Sequence, residues 1–398
     1  MSNFSSVMTT NSNTNHCKHK QVTMSKLENV LEIKFLSMIK PLHYISCIFF
    51  LRKFNIIDNK IYPNARKYIL CLGIGMFLTN FLLITCLISL INIYDVSIFY
   101  VYVLAYSQYS INYSILCFSN IIYSKFNIQL LLKLQAIDRY LYNAKDTIKI
   151  KFVVWFACIL LIFTYILFVT FKLMFDPLWD WIRGLFIVIS LIFDIELIYC
   201  IFFVYYLACK MVRWSEIIQV DENNPNVLQD DIGITLVEML FKVYEQLLDA
   251  LVLVKKAAQF AILLHFVIMF IQSITYIEIL ILMTQTQKLQ EVSIKSHGYG
   301  VILWTSKAVV TETTFCFICE ILYRRIISAQ IVVISYMNFY TCRRSRRLFK
   351  NIRRLNRIKF SKMSICGIFI VDAALPLRLA ALLTDYTVIL LQFAFLRN

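Results

Sequence analysis

The sequence predicts an all-α membrane protein with seven transmembrane helices. Three observations lead to this prediction: 60% of the 398 residues are hydrophobic, the mean hydropathy is +0.69, and long apolar runs recur along the chain. Such runs satisfy their backbone hydrogen bonds in lipid only as helices. A soluble domain is therefore excluded. The net charge of +16 does not indicate nucleic-acid binding, because the basic residues fall between the apolar runs.

The first 67 residues are predicted to form a cytoplasmic N-terminal region. Their start is polar and lacks the apolar core of a signal peptide. A mixed segment near residues 35–54 follows, in which Lys40, Pro41 and His43 interrupt the apolar residues. We expect this segment to form an interfacial or re-entrant helix.

Residues 68–398 are predicted to form the seven-helix transmembrane domain. The spans are expected at about residues 68–94, 98–123, 152–171, 185–209, 257–284, 298–322 and 373–396. Apolar residues recur at helical spacing from Ile234 to Leu251. This amphipathic helix is predicted to run without a break into the fifth span.

The distribution of basic residues predicts the orientation. Of the 40 lysines and arginines, 33 lie in the N-terminal region or after spans two, four and six, and 5 lie on the alternate side. Loops rich in Lys and Arg stay in the cytoplasm. The N-terminus is therefore predicted to be cytoplasmic and the C-terminus extracellular.

Residues that could hold a metal, a cofactor or a nucleophile are sparse. Among twelve cysteines, Cys316 and Cys319 form a CxxC pair, but it lies in an apolar run without a second pair. His43, His265 and His297 stand alone in the sequence. There is no nucleophile motif and no phosphate-binding glycine loop. We therefore expect no metal, no cofactor and no enzymatic activity.

The last span carries polar residues that a purely structural helix does not need. Arg378, Asp385 and Gln392 are seven residues apart, so they share one face of a helix. Charges are costly in lipid, so this face should meet protein or water. The helix either lines an aqueous path or places its two charges against partners on neighbouring helices.

The same segment resembles the C-terminal signature of the insect gustatory receptors, which are relatives of the insect odorant receptors. That signature is Thr-Tyr, five hydrophobic residues and Gln-Phe. Here Tyr386, residues 387–391, Gln392 and Phe393 match it, with a threonine at position 387 and Asp385 in place of the first Thr. Residues 367–372 and 134–138 also resemble segments of this family.

The resemblance implies a ligand-gated, non-selective cation channel in the plasma membrane, which opens to a small-molecule tastant. It would be a homo- or hetero-tetramer of related receptor subunits. The last helix would line the central pore, and the cytoplasmic ends of helices five to seven would form an anchor region. The implied pore and gate residues are Arg378, Asp385, Tyr386, Ile389, Gln392 and Phe393.

Two of these implications leave alternatives open. The helix from Ile234 to Leu251 either belongs to the anchor region or lies on the membrane lipid. Asp385 either favours cations in the pore or pairs with Lys307 or Arg378 inside the bundle.

In such receptors the ligand pocket lies among helices two to six in the outer half of the membrane. Aromatic walls with a few convergent polar groups are typical of small-molecule pockets, although aromatic residues also serve in ordinary packing. The candidates are Tyr106, Gln108, Tyr165, Phe193, Asp194, Gln272, Tyr276, Trp304 and Lys307.

Two other classes of membrane protein are alternatives. Asp138-Arg139-Tyr140 spells the cytoplasmic triplet of G-protein-coupled receptors, but it lies well beyond the preceding span and the predicted C-terminus is outside. A secondary transporter could use Asp194, Glu196 and Glu312 as an ion path, but no internal repeat is evident.

Overall fold

The computed structural model describes residues 30–64, 66–91, 96–175, 181–220, 231–285, 291–339 and 343–396. These residues form ten helices and two short antiparallel hairpins. In chain order the elements are α1 (Ile33–Ile48), β1 (Asn55–Ile57), β2 (Lys60–Tyr62), α2 (Arg66–Ile91), α3 (Val96–Ile122), α4 (Ser124–Tyr140), α5 (Ala144–Phe175), α6 (Trp181–Val220), α7 (Asp231–Gln285), α8 (Glu291–Phe339), α9 (Arg343–Lys359), β3 (Ser364–Ile365), β4 (Phe369–Ile370) and α10 (Leu375–Leu396).

The fold is that of an all-α, multi-pass membrane protein. Within the described ranges, the helices α2, α5, α6, α7 and α10 each contain a stretch long and apolar enough to cross a bilayer. The pair α3 and α4 adds a sixth if it is counted as one span bent by 62°. Helix α8 occupies the place of the predicted sixth span but does not meet the same criterion of length and apolarity, and the predicted span carries Lys307, Glu312 and Glu320. The count of seven therefore stays a prediction.

The N-terminal region contains a helix, but a shorter one than predicted. Helix α1 ends at Ile48 rather than near residue 54. Residues 55–62 form the β1–β2 hairpin, whose Asp58 and Asn59 both have positive φ, as the tight turn requires. Helix α1 packs against α5 and α6 and buries Phe35, among others, between them.

Helix α4 lies where the basic residues after the second predicted span indicate only a connection. Leu130, Leu134 and Ile137 recur at helical spacing on one buried face. Helix α4 packs against α7, so this face joins the core.

Helix α7 is a single helix of 55 residues, which confirms the predicted run from the amphipathic helix into the fifth span. Helix α8 continues past the predicted end of its span, residue 322, to Phe339. Helix α9 packs against both of them, and the β3–β4 hairpin then leads into α10. The hydroxyl of Tyr323 donates to the carbonyl of Val371 (3.1 Å) and accepts from the backbone N–H of Met363 (2.8 Å), which ties the hairpin to α8.

Helix α6 lies at the centre of the bundle. It packs against α1, α2, α5, α7 and α8. In its most apolar stretch, 83% of the residues are buried, whereas in the corresponding stretch of α10 none is. Helix α10 therefore lies on the outside of the single chain, against α7 and α8.

Candidate functional site

A cavity opens between α3, α5, α6, α7 and α8, at the end of the bundle that the predicted orientation places outside. It holds about 460 Å³ of empty space, including the part open to solvent. Of the predicted ligand residues, Tyr106, Tyr276 and Trp304 line it. The other lining residues are Tyr102, Phe168, Lys172, Arg183, Ile187, Gly300 and Val301.

The walls are mainly aromatic. The rings of Tyr102 and Tyr106 stack with their centroids 5.9 Å apart. The indole of Trp304 receives the edge of Tyr165 at 5.6 Å and lies 5.4 Å from the ring of Phe168. Rings arranged in this way give rigid apolar surfaces with polar tips, which suits a small planar ligand.

Trp304 joins the cavity to the polar groups below it. Its indole N–H donates to the side-chain oxygen of Gln272 at 3.0 Å. The ammonium of Lys307 lies 3.9 Å from the centroid of the indole ring, within cation–π range. Gln272 and Lys307, both predicted ligand residues, thus support the floor of the cavity instead of lining it.

A buried chain of ionisable groups continues inward from Lys307. Its ammonium contacts Oδ2 of Asp194 at 2.5 Å, and the hydroxyl of Tyr165 donates to the same oxygen at 2.7 Å. Oδ1 of Asp194 lies 3.0 Å from Nε2 of His265. Nδ1 of that ring lies 3.2 Å from Oε1 of Glu312. We call Lys307, Asp194, His265 and Glu312 the buried charge chain.

This geometry supplies partners that the sequence does not indicate. His265, which stands alone in the sequence, bridges two carboxylates on α6 and α8. Lys307, one of the two partners left open for Asp385, pairs with Asp194 instead. These contacts join residues 47 to 113 positions apart, and no local pattern encodes such distances.

The remaining predicted ligand residues lie away from the cavity. Gln108 is buried on α3, and its side-chain atoms have no hydrogen-bond partner within the described residues. Phe193 is buried against the ring of Tyr109, with centroids 6.3 Å apart. Conversely, the sequence places Lys172 and Arg183 in the connection after the third span, yet both are buried and line the cavity.

The residues proposed for other protein classes have local roles. Glu196 pairs with Lys53 and has no described contact with the buried charge chain. Asp138 pairs with Lys210 at 2.5 Å, with both side chains buried. Arg139 contacts Glu32 at 2.8 Å near the surface. The Asp138-Arg139-Tyr140 triplet therefore lies at the end of α4 and fastens it to α6 and to the N-terminal region.

Helix α10 presents its polar residues away from its own chain. Its partly buried residues toward α7 and α8 include Leu379, Leu383, Thr387 and Leu390. At 3.6 residues per turn, Arg378, Asp385 and Gln392 lie on roughly the opposite side, and all three are exposed. Within the described residues, neither Arg378 nor Asp385 makes an ion pair.

Of the other predicted gate residues, Tyr386 and Phe393 are seven residues apart and share one face of α10, and Ile389 lies between that face and the polar one. The ring of Tyr386 meets the edge of Phe270 on α7, with centroids 5.6 Å apart. The side chains of Ile389 and Phe393 are exposed, the latter by 68%. Polar side chains are costly in lipid, so we expect protein or water to cover the polar stripe of α10.

No protein-family model matches this sequence, and no characterised protein matches it in sequence. Among solved structures, the chain is similar to the insect olfactory receptor OR5 from Machilis hrabei in complex with eugenol, with a TM-score of 0.57 and 11% identity. The match covers 90% of this chain and 99% of that chain. The chain therefore has the fold of an insect olfactory receptor.

Proposed function

We propose that this chain is a chemosensory receptor of the gustatory type that acts as a ligand-gated, non-selective cation channel. One observation carries the proposal: the polar stripe of α10 points away from its own bundle and has no ion-pair partner within the described part of the chain. A second copy or a related subunit would cover that stripe. In a ring of such subunits around a water-filled pore, every polar residue of the stripe would contact protein or water.

The fold likeness and the C-terminal residues support the same reading. The similar olfactory receptor was solved with eugenol, a small molecule. The match of Tyr386, Gln392 and Phe393 to the gustatory receptor signature favours the gustatory type. We propose a tetramer in the plasma membrane with a cytoplasmic N-terminus, in which the cytoplasmic parts of α7, α8 and α9 hold the subunits together.

The proposed pore has three functional levels. Exposed Ile389 and Phe393 would form an apolar constriction that stops ions by excluding water. Gln392 would offer amide dipoles to a passing cation without binding it tightly. Asp385 would attract cations from deeper in the pore, and Tyr386 would hold the helix on α7 through Phe270.

The ligand is proposed to bind in the aromatic cavity beside Trp304. Its walls suit an aromatic or otherwise planar small molecule. To open the pore, the ligand must bind the open state more tightly than the closed state, because equal affinity shifts no equilibrium.

The test is whole-cell current from cells that express this chain, with and without a tastant panel, under G-protein blockade. We expect a ligand-evoked cation current that survives the blockade and that Gln392→Ala alters while surface expression is unchanged. Thr387→Ala is the matched control, because it removes a polar group from the side of α10 that faces the bundle. A response abolished by blockade, or identical currents in Gln392→Ala, would contradict the proposal.

A further inference from the structure

The buried charge chain contains a contact that requires a proton. His265 on α7 places both ring nitrogens against carboxylates, Nε2 at 3.0 Å from Asp194 and Nδ1 at 3.2 Å from Glu312. A neutral imidazole has one N–H, so it can donate to only one of these carboxylates. With both carboxylates ionised and the ring neutral, one nitrogen lone pair would face a carboxylate oxygen.

Three arrangements satisfy the geometry, and all hold the same number of protons. The ring is protonated on both nitrogens, or a protonated Glu312 donates to Nδ1 while Nε2–H donates to Asp194, or a protonated Asp194 donates to Nε2 while Nδ1–H donates to Glu312. In all three, one proton lies between the ring and each carboxyl group. Both contacts of His265 therefore exist together only while the extra proton is present.

The charge balance of the four groups is an independent reason to expect a bound proton. With the shared proton, the formal charges of Lys307, Asp194, His265 and Glu312 sum to zero. Without it, the four groups carry a net charge of −1, although the three side chains other than Lys307 are at most 6% exposed. An uncompensated buried charge is strongly unfavourable.

The charged and titratable groups described around this contact lie on three helices. Asp194 lies on α6, Tyr165 on α5, and Lys307, Glu312 and Cys316 on α8. Lys307 is the only permanent cation among these side chains, and its ammonium is already engaged with Asp194. No other described cation compensates Glu312.

The contact also lies between the cavity and the last helix. On the cavity side, Lys307 supports the ring of Trp304. On the other side, Phe266 follows His265 on α7 and packs against Phe369 in the hairpin that leads into α10, with centroids 5.5 Å apart. The contact between His265 on α7 and Glu312 on α8 therefore lies close to both the cavity and α10.

We propose that His265 and Glu312 form an intramembrane proton-binding site that couples the aromatic cavity to α10. The bound proton allows His265 on α7 to contact both α6 and α8, and its loss breaks one of these two contacts. The effect on current rests on the proposed channel function, whereas the effect on the fold does not. Stability and ligand response are present with the proton bound and decline as pH rises.

Two measurements across mildly acidic to alkaline pH test the proposal on the full chain. The first is the thermal unfolding midpoint of the protein in nanodiscs; the second is the half-maximal ligand concentration for current, with equal pH on both sides. In the wild type we expect the midpoint to fall as pH rises and the half-maximal concentration to increase about five-fold or more. In Glu312→Gln, the amide donates to Nδ1 at every pH, so both profiles should be flat and close to the wild type at low pH.

Glu216→Gln is the control, because it neutralises a partly exposed acid of α6 that pairs with Arg213 and has no described contact with His265. It should retain the wild-type pH profile. Should Glu312→Gln fail to fold, the double variant His265→Gln/Glu312→Gln removes both titrating groups and should also give a flat pH profile. A flat wild-type midpoint, or an undiminished pH dependence in Glu312→Gln, would overturn the proton site. Absence of any ligand-evoked current would instead count against the channel, while the unfolding measurement would still decide on the proton.

Discussion

Helices α6 and α10 both carry charges inside apolar segments, but the environments of these charges are opposite. On α6, Asp194, Glu196 and Lys210 are buried, and each pairs with a charge from another element of the same chain. On α10, Arg378 and Asp385 are exposed and have no ion-pair partner in the described part of the chain.

The difference separates two uses of intramembrane charge. A charge that is paired and buried within one chain fixes how its helices meet, and removing its partner leaves a buried ion. A charge that points away from its own chain adds nothing to the fold of that chain. It needs a second subunit or water to be tolerated in a membrane. The helix that the chain leaves uncovered is therefore the one we assign to the pore.

The largest effect is expected when a paired, buried charge of α6 is removed, as in Lys210→Met. The ammonium of Lys210 pairs with Asp138 at 2.5 Å and donates to the carbonyl of Leu141 at 3.0 Å. Its removal leaves a buried carboxylate, so we expect a loss of about 3–5 kcal/mol in the free energy of unfolding. Equilibrium unfolding in mixed micelles measures this loss.

Two further variants complete that test. The double variant Asp138→Asn/Lys210→Met should recover most of the loss, because no ion then remains unpaired. Arg213→Met removes a partly exposed pair with Glu216 from the same helix and should change the free energy by about 0.5 kcal/mol or less. Equal effects of Lys210→Met and Arg213→Met would show that the charges of α6 do not fix the fold.

The elements with local patterns could be predicted from the sequence. Helical spacing from Ile234 to Leu251 gave the continuous α7, and the seven-residue spacing of Asp385 and Gln392 gave the exposed stripe. The same kind of spacing was present in α4 but was overlooked because basic residues surround it. The pairing of charges could not be predicted, because any buried acid can in principle meet any base, and only packing selects Asp194 for Lys307.

The lining of the aromatic cavity could also be predicted only in part from the sequence. Trp304, Tyr106 and Tyr276 were found because aromatic and polar residues suit a pocket, and this criterion needs only composition and orientation. Lys172 and Arg183 were missed because charges at the ends of spans usually face water. Their burial depends on how the ends of α5 and α6 pack, which is a property of the whole bundle.

The next test concerns the floor of the cavity. Trp304→Phe removes the indole N–H that donates to Gln272 and weakens the cation–π contact with Lys307. The loss of one buried hydrogen bond costs about 1–1.5 kcal/mol, so the ligand concentration for half-maximal current should increase about ten-fold.

Trp155→Phe is the matched control, because Trp155 is 42% exposed on α5 and lies away from the cavity. Its ligand response should equal that of the wild type. If both variants shift the response equally, Trp304 has no special part in ligand binding, and the buried charges of α6 would have a purely structural use.

A smaller effect is expected at the cytoplasmic charges that pair near the surface. Lys359 on α9 contacts Asp249 at 2.7 Å and Glu245 at 3.0 Å, and its hydrogen bond to Asp249 raises the pKa of its ammonium above the ordinary 10.5. Lys359→Met should cost about 1 kcal/mol or less, and high salt should reduce that cost.

The sign of the pH dependence follows from the raised pKa of Lys359. The pair contributes fully to the free energy of unfolding below pH 10.5. This contribution is lost as the pH rises through the higher folded-state pKa of Lys359. Unfolding of the wild type and Lys359→Met as a function of pH measures this difference. Lys350→Met, which removes an exposed cation of the same helix, should show no such dependence. A loss as large as that in Lys210→Met would erase the distinction between buried and surface pairs.

The smallest effect on stability, and the most informative, is expected for Asp385→Asn. Asp385 is exposed and has no described ion-pair partner in its own chain, so the free energy of unfolding of the single chain should change by about 0.5 kcal/mol or less. In the proposed assembly, however, its carboxylate faces the pore. Reversal potentials in asymmetric salt should then show a lower preference for cations over anions. A large loss of stability with unchanged selectivity would instead place Asp385 in a structural pair and remove the contrast between α6 and α10. A change in selectivity at constant stability is the outcome expected of a charge that serves the assembly and not the fold.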